Sequence, residues 1–202
     1  MTQAVAATGN SWLGKRVHFV GIGGVGMSGV ARILHASGAR VTGSDQHSSA
    51  LTECLAGMGV PVALGHDPAH VPCDCDLVVT TAAVPDTNPE LEAARRSGLP
   101  VWKYARLLGE LSSAKWCVAV SGTHGKTTTT SMVAYALQEA GLDPDVVLGG
   151  HFDQIGGSFR MGHGPHFVVE ACEYDRSFLN LVPYVSVINN IEADHMDYYR
   201  DM

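Results

Sequence analysis

Short apolar runs alternate with longer amphipathic segments along most of the chain. Each apolar run ends at glycine, an acidic residue or a small polar residue, as buried parallel strands do. The runs predicted to be strands are residues 16–20, 40–42, 61–64, 76–80, 101–102, 116–120, 145–148, 167–169 and 184–188. The segments predicted to be helices are residues 24–37, 50–58, 88–97, 104–111 and 127–137. This alternation predicts an α/β protein with parallel sheets covered on both faces.

A small polar turn at residues 112–114 divides the pattern into two parts. Residues 1–14 are small, polar and aperiodic, and we predict a flexible arm there. Residues 15–112 form the first predicted domain, which is Rossmann-like, and residues 115–202 contain a phosphate-loop strand and helix. The glycine-rich residues 149–165 are predicted to be a loop. We therefore expect two α/β domains in sequence.

The bulk properties exclude several classes of function. The formal net charge of the 202 residues is -7, which gives no electrostatic support for a nucleic-acid partner. No apolar run reaches the length of a membrane span, and the first ten residues lack the pattern of a signal peptide. The five cysteines are scattered and odd in number, as expected for reduced thiols. A cytoplasmic protein without membrane insertion is predicted.

The first candidate site follows the strand at residues 16–20. The sequence GIGGVGM at residues 21–27 has the G-x-G-x-x-G spacing between a strand and a helix. Asp45 follows about 20 residues later, where dinucleotide folds place the carboxylate that binds a ribose hydroxyl. Ligands of such sheets bind beyond the carboxyl ends of the strands. The residues predicted to line this crevice are Gly23, Gly24, Gly26, Met27, Asp45, His66, Thr81 and Ala82.

Two other interpretations of this motif stay open at this point. The glycines could serve only the tight packing of strand against helix, without any ligand. Taken at face value, the motif and Asp45 would instead predict an NAD(P)-dependent oxidoreductase, although that hypothesis leaves the second candidate site unexplained.

The second candidate site lies between the apolar run at residues 116–120 and the helix that follows. Its sequence, SGTHGKTT, is a compact phosphate loop in which Val120 occupies the position of the usual first glycine. Glycines let backbone N–H groups turn toward phosphates, a lysine meets the terminal phosphates, and the next hydroxyl can bind Mg²⁺. The residues predicted to bind a nucleoside triphosphate are Gly122, Thr123, His124, Gly125, Lys126, Thr127 and Thr128. The plainer alternative is a glycine-rich turn with a solvated lysine.

A carboxylate at the end of a neighbouring strand is the usual partner of Mg²⁺ at a phosphate loop. Glu170 has that position, and Glu173 and Asp175 follow closely enough to compete with it. His195 follows the next strand, but histidine is not a preferred magnesium ligand, so chemistry alone ranks it low.

Six motifs together resemble the Mur ligases of bacterial cell-wall synthesis. They are HFVGIGGVGMSGVA, VTGSD, TTAAVPDTNPE, SGTHGKTTTTSM, VVEACEYDRSFL and NNIEADHMDYY, which follow the family's order and spacing from His18 to the C-terminus. Asn189 replaces a common threonine, and Cys172-Glu173-Tyr174 replaces a frequent Asp-Glu-Ser.

The resemblance implies that the first domain binds the UDP part of UDP-N-acetylmuramate rather than NAD, and that residues 122–128 bind ATP. It implies that Glu170 and His195 hold Mg²⁺ together with Thr127, the hydroxyl that the phosphate-loop motif itself predicts as a ligand. Lys126, Glu170 and His195 are then the predicted catalytic residues. The implied activity joins L-alanine to UDP-N-acetylmuramate through an acyl phosphate, in peptidoglycan precursor synthesis.

Members of the family continue into a third domain that binds the amino acid. The resemblance therefore leads us to expect a fragment, containing only part of the ATP-binding domain and inactive by itself. A non-catalytic module that binds UDP-sugar or nucleotide is the alternative from another class of function.

Overall fold

The computed structural model describes residues 11–193, which form two compact units, one up to Leu107 and one from Leu108. Residues 1–10, most of the predicted arm, lie outside the described residues, as does His195. None of the helices described is both long and apolar enough to cross a bilayer.

The first unit is built on a five-stranded parallel sheet in the order β3-β2-β1-β4-β5. Its strands are β1 (Arg16–Val20), β2 (Arg40–Asp45), β3 (Val62–Leu64), β4 (Leu77–Thr80) and β5 (Val101–Lys103). Its helices are α1 (Val25–Ala36), α2 (Ala50–Gly57), α3 (Pro89–Arg96) and α4 (Tyr104–Ser113), the last of which crosses into the second unit. The Rossmann-like parallel sheet predicted from the sequence is confirmed.

The central strand of this sheet is buried on both faces. In β1, Val17, Phe19 and Val20 are buried, and so is the polar His18. Consecutive buried positions require an almost continuous apolar run, which is why the sequence pattern identified this strand. A buried histidine inside such a run requires hydrogen-bond partners.

The second unit has a five-stranded mixed sheet in the order β10-β6-β9-β7-β8. Its strands are β6 (Trp116–Ser121), β7 (Asp145–Phe152), β8 (Gly157–Arg160), β9 (His166–Glu170) and β10 (Val185–Ile188), and its α-helix is α5 (Lys126–Glu139). All pairings are parallel except that of β7 with β8. This arrangement is the expected phosphate-loop α/β domain with one antiparallel edge strand.

The predicted loop at residues 149–165 is wrong in part. Strand β7 continues to Phe152, a 3₁₀ helix at Asp153–Ile155 reverses the chain, and β8 returns along β7. Gly156 and Gly157 have φ values of 82° and 138°, which permit this tight reversal. Phe152 and Ile155 pack into the core of this unit. The glycines that suggested a loop form the turn of a hairpin.

Candidate functional site

The first glycine loop lies against the end of β2. Gly21 has a φ of 82°, and the backbone N–H groups of Gly21 and Ile22 donate to the carbonyl of Ser44 at 2.9 and 3.0 Å. A Cβ at Gly43 would lie 2.5 Å from Cδ1 of Ile22, so the close approach requires glycine in the strand as well. The glycine loop and the end of β2 are therefore packed tightly against each other.

The Asp45 carboxylate is directed at the glycine loop. Its Oδ2 accepts a hydrogen bond from the backbone N–H of Gly23 at 2.8 Å, and its Oδ1 accepts from that of His47 at 3.2 Å. A Cβ at Gly23 would lie 2.8 Å from Oδ2, so this contact requires glycine. Asp45 has a fixed position beside the loop.

Beyond the strand ends lies an open cavity of about 640 Å³. Four of the predicted lining residues, Gly24, Asp45, His66 and Thr81, are on its wall. The other four predicted residues do not line it, and the first of them, Gly23, donates its N–H to Asp45 instead. A Cβ at Gly26 would meet the hydroxyl of Tyr104 at 2.6 Å, Met27 is buried in the core, and Ala82 is exposed beside the lining.

Sequence reasoning missed the carboxylate behind this wall, Glu90. It is fully buried, and its Oε2 lies 2.8 Å from both Nε2 of His18 and Oγ of Ser44. Its Oε1 lies 3.0 Å from Nδ1 of His66. Burial opposes the charge, but hydrogen bonds from His18, Ser44 and His66 outweigh it and lower the pKa of Glu90 to about 2. In the sequence, His18 was the residue that could have indicated this group, because a histidine in a buried strand needs a polar partner.

The phosphate loop joins β6 to α5. Gly122 and Gly125 have φ values of 139° and 76°, and Gly125 caps the N-terminus of α5. Because first-turn N–H groups of a helix lack internal partners, this end suits an anionic group. Thr128 is exposed at the first turn. The predicted helix start at residue 127 agrees with the observed start at Lys126 within one residue.

Lys126 is held inside the loop. Its Nζ donates to the carbonyls of Gly122 at 2.7 Å and Thr123 at 3.1 Å, and to Oε1 of Glu173 at 2.9 Å. The lysine and Glu173 side chains are only 14% and 21% exposed. The positive charge is thus fixed at the loop by protein groups, so the expectation of a solvated Lys126 is wrong, whereas phosphate binding at the loop stays a prediction.

Two predicted magnesium ligands come together beside the lysine. Oγ1 of Thr127 donates to Oε2 of Glu170 at 2.8 Å, and the N–H of Gly149 donates to the same oxygen at 2.9 Å. A Cβ at Gly149 would lie 2.9 Å from that carboxylate, so a larger residue there would displace the carboxylate from this position. Hydroxyl and carboxylate oxygens are the hard donors that Mg²⁺ prefers, so this pair fits the ion. Within residues 11–193 no group of three or more His, Cys, Asp or Glu side chains is arranged so that it could hold a metal ion.

The segment after β10 holds the phosphate loop from its other side. The Asn190 amide accepts from the backbone N–H of His124 at 2.9 Å and donates to its carbonyl at 3.1 Å. The hydroxyl of Thr123 exchanges hydrogen bonds with the backbone of Glu192. These contacts hold the phosphate loop against a segment more than 60 residues later in the chain. The hydrophobic periodicity of the sequence gives no information about such a contact.

Two sheets, each with a glycine loop at the carboxyl end of a parallel strand, are typical of the α/β proteins that bind nucleotides. Residues 16–116 match the catalytic domain of the Mur ligase family, and residues 120–202 match the Mur ligase middle domain. The chain belongs to the Mur ligase family.

Named relatives support this assignment. The UDP-N-acetylmuramate–L-alanine ligase of Methylibium petroleiphilum is 55% identical over 92% of this chain, and that of Clostridium novyi is 50% identical over 93%. The chain spans 39% and 41% of their lengths.

Solved structures agree with the fold. The UDP-N-acetylmuramate-alanine ligase of Thermotoga maritima has a TM-score of 0.85 at 37% identity, covering 93% of this chain and 44% of that one. The UDP-N-acetylmuramate:L-alanyl-gamma-D-glutamyl-meso-diaminopimelate ligase of Neisseria meningitides also has a TM-score of 0.85, at 34% identity, covering 93% and 64%.

Proposed function

We propose that the gene product containing this chain joins L-alanine to UDP-N-acetylmuramate with the cleavage of ATP, through an acyl phosphate of the muramic carboxylate. The crevice of the first unit binds the UDP part of the substrate, and the phosphate loop of the second unit binds ATP. The observation that carries this proposal is that both glycine loops are present, on separate sheets, in a chain that is similar to UDP-N-acetylmuramate–L-alanine ligases. A cytoplasmic location is part of the same proposal.

The residues of the second unit have separate tasks in this proposal. The backbone N–H groups of the loop and of the first turn of α5 bind the phosphates of ATP. Lys126 stabilises the negative charge that develops on the phosphoryl group as it moves to the substrate carboxylate. The Glu173 contact keeps this ammonium group at the loop.

Thr127 and Glu170 would hold Mg²⁺, with the predicted third ligand, His195, outside the described residues. When bound, the ion supplies positive charge beside the transferring phosphate. The N–H of Gly149 fixes the orientation of the Glu170 carboxylate, which therefore needs little reorganisation.

The oxidoreductase hypothesis has weaker support. It uses only the first glycine loop and gives no role to Lys126, Thr127 and Glu170. In addition, the Asp45 oxygen is already engaged by the N–H of Gly23.

The test is an assay of ADP release by the complete gene product. We expect release only when UDP-N-acetylmuramate and L-alanine are both present, with UDP-N-acetylmuramoyl-L-alanine identified by mass. The peptide L-alanyl-gamma-D-glutamyl-meso-diaminopimelate replaces L-alanine in a parallel reaction, because the Neisseria protein has an equally similar fold. Preference for that peptide would contradict the amino-acid assignment, and absence of ADP release with either would contradict the ligase assignment.

A further inference from the structure

A buried carboxylate lies directly behind the wall of the first crevice. Glu90 follows the cap of α3, where the side chain of Asn88 accepts from the backbone N–H of Glu90 at 2.9 Å. Its carboxylate has no exposed surface and is contacted from β1, β2 and the segment after β3. A buried charge of this kind is costly unless its partners are well placed.

The hydrogen bonds have a defined direction. An ionised carboxylate only accepts, so His18, Ser44 and His66 all donate to Glu90. The Nε2–H of His18 donates a hydrogen bond to Glu90, and its Nδ1 accepts from the hydroxyl of Thr42 at 2.8 Å. His66 correspondingly turns Nδ1–H inward, at 3.0 Å from the carboxylate.

His66 connects this buried group with the crevice. Its side chain is 16% exposed and forms part of the cavity wall. With Nδ1 directed at Glu90, Nε2 is the ring nitrogen that remains for a ligand. A second proton on Nε2 would place a positive charge on the ring, and the adjacent carboxylate would balance that charge.

We propose that Glu90 is a positioning residue for the crevice: it holds His66 with Nδ1–H inward, so that Nε2–H donates to a diphosphate oxygen of the bound nucleotide. The proposal rests on the proposed function, in which this crevice binds a UDP-sugar. What goes beyond that function is the role of Glu90: it does not contact the ligand, but it determines which ring nitrogen of His66 faces the ligand.

The test measures binding of uridine diphosphate to the 202-residue chain and its variants by calorimetry. Glu90→Gln keeps the shape of the side chain but removes the charge that supports the doubly protonated ring. We expect its affinity to fall about 10-fold, the usual effect of losing a hydrogen bond to a charged group. His66→Ala should lose a similar factor and provides a second test if Glu90→Gln does not fold.

His70→Ala is the matched control. Nδ1 of His70 lies 3.4 Å from the same Glu90 oxygen, but His70 is not among the residues lining the cavity. We expect its affinity for UDP to stay within about twofold of wild type. An equal loss in His70→Ala would mean that the network has only a structural role and would overturn the proposal.

Nitrogen NMR of the imidazole rings gives a readout that a structural role would not change. In the wild-type chain saturated with UDP, both nitrogens of His66 should carry protons, whereas in Glu90→Gln only Nε2 should. Normal affinity in folded Glu90→Gln, or a singly protonated His66 in the wild-type complex, would overturn the role of Glu90. If the wild-type chain fails to bind UDP, the proposed function of the crevice is contradicted instead, and the diphosphate assignment with it.

Discussion

The charged side chains of both candidate sites are held by polar groups of the protein. Asp45 accepts from the N–H of Gly23, Lys126 donates to loop carbonyls and to Glu173, and Glu170 accepts from Thr127 and Gly149. Groups fixed in this way lose little conformational entropy when a ligand binds. The residue types were predictable from the motifs, because phosphate and magnesium require them. Glu173 as the partner of Lys126 and Gly149 as the partner of Glu170 were not predictable, because each lies far from its partner in the sequence.

Replacing Lys126 with alanine tests the phosphate loop at this scale. The change removes the ammonium group while leaving the glycines and the cap of α5 in place. We expect the affinity for Mg²⁺–ATP to fall at least about 10-fold, as for loss of a charged hydrogen bond. Lys126→Arg should retain part of it, since its charge remains but its geometry differs. UDP affinity is the internal control, and a variant that binds ATP normally would refute the assignment of Lys126.

The lowered pKa of Glu90 leads us to expect that the free energy of unfolding depends on pH. Its pKa is about 2 in the folded chain against an ordinary value of 4.5, so its ionised form stabilises the fold above about pH 4.5. This contribution, about 3 kcal/mol, is lost as the pH falls from 4.5 toward 2.

Urea unfolding between about pH 7 and about pH 3 measures the effect. Glu90→Gln should be less stable than wild type at neutral pH, and the difference in unfolding free energy should shrink as the pH falls. Glu92→Gln, an exposed change on the same helix, is the control and should differ little from wild type throughout. A difference between Glu90→Gln and wild type that is constant with pH would contradict the stabilising role of the charge.

At the scale of elements, strand ends and glycines position both loops. The alternation of apolar runs and amphipathic segments predicted nine of the ten described strands, because a buried parallel strand must be apolar nearly throughout. The one strand that was missed is β8, because its sequence, GSFR, has little apolar content and follows a glycine turn. The hairpin it forms with β7 is stabilised by pairing and packing that a local pattern does not record.

Gly43 in β2 tests how closely the first loop must approach its strand. Alanine there would place Cβ 2.8 Å from the carbonyl oxygen of Phe19 as well as against Ile22. We expect Gly43→Ala to lower the unfolding free energy by about 2 kcal/mol through overpacking, and to weaken UDP binding. Gly57→Ala is the control, because nothing lies within 4 Å of its Cβ position. Gly57→Ala should be neutral or stabilise by about 0.5 kcal/mol. Equal stability of the two variants would contradict a close contact between β2 and the first glycine loop.

At the scale of the whole molecule, two α/β units each carry one candidate nucleotide site. The order of the two motifs was visible in the sequence, and their joint presence led to the family. The chain covers 39% and 41% of two relatives' lengths, so their complete reaction is proposed rather than observed for it. The buried network behind the crevice was not predicted, since its members are spread from residue 18 to residue 90 and only His18, in a buried strand, indicated a buried polar partner.

Hydrogen exchange measured by mass spectrometry, with each nucleotide added separately, tests the central claim of two distinct sites most directly. UDP-N-acetylmuramate should slow exchange in peptides containing Gly21–Gly26 and His66, and Mg²⁺–ATP should slow it in peptides containing Gly122–Thr128. NADH is the control and should protect neither region. Protection of the first loop by NADH but not by UDP-N-acetylmuramate, or no protection of the phosphate loop by ATP, would contradict the account.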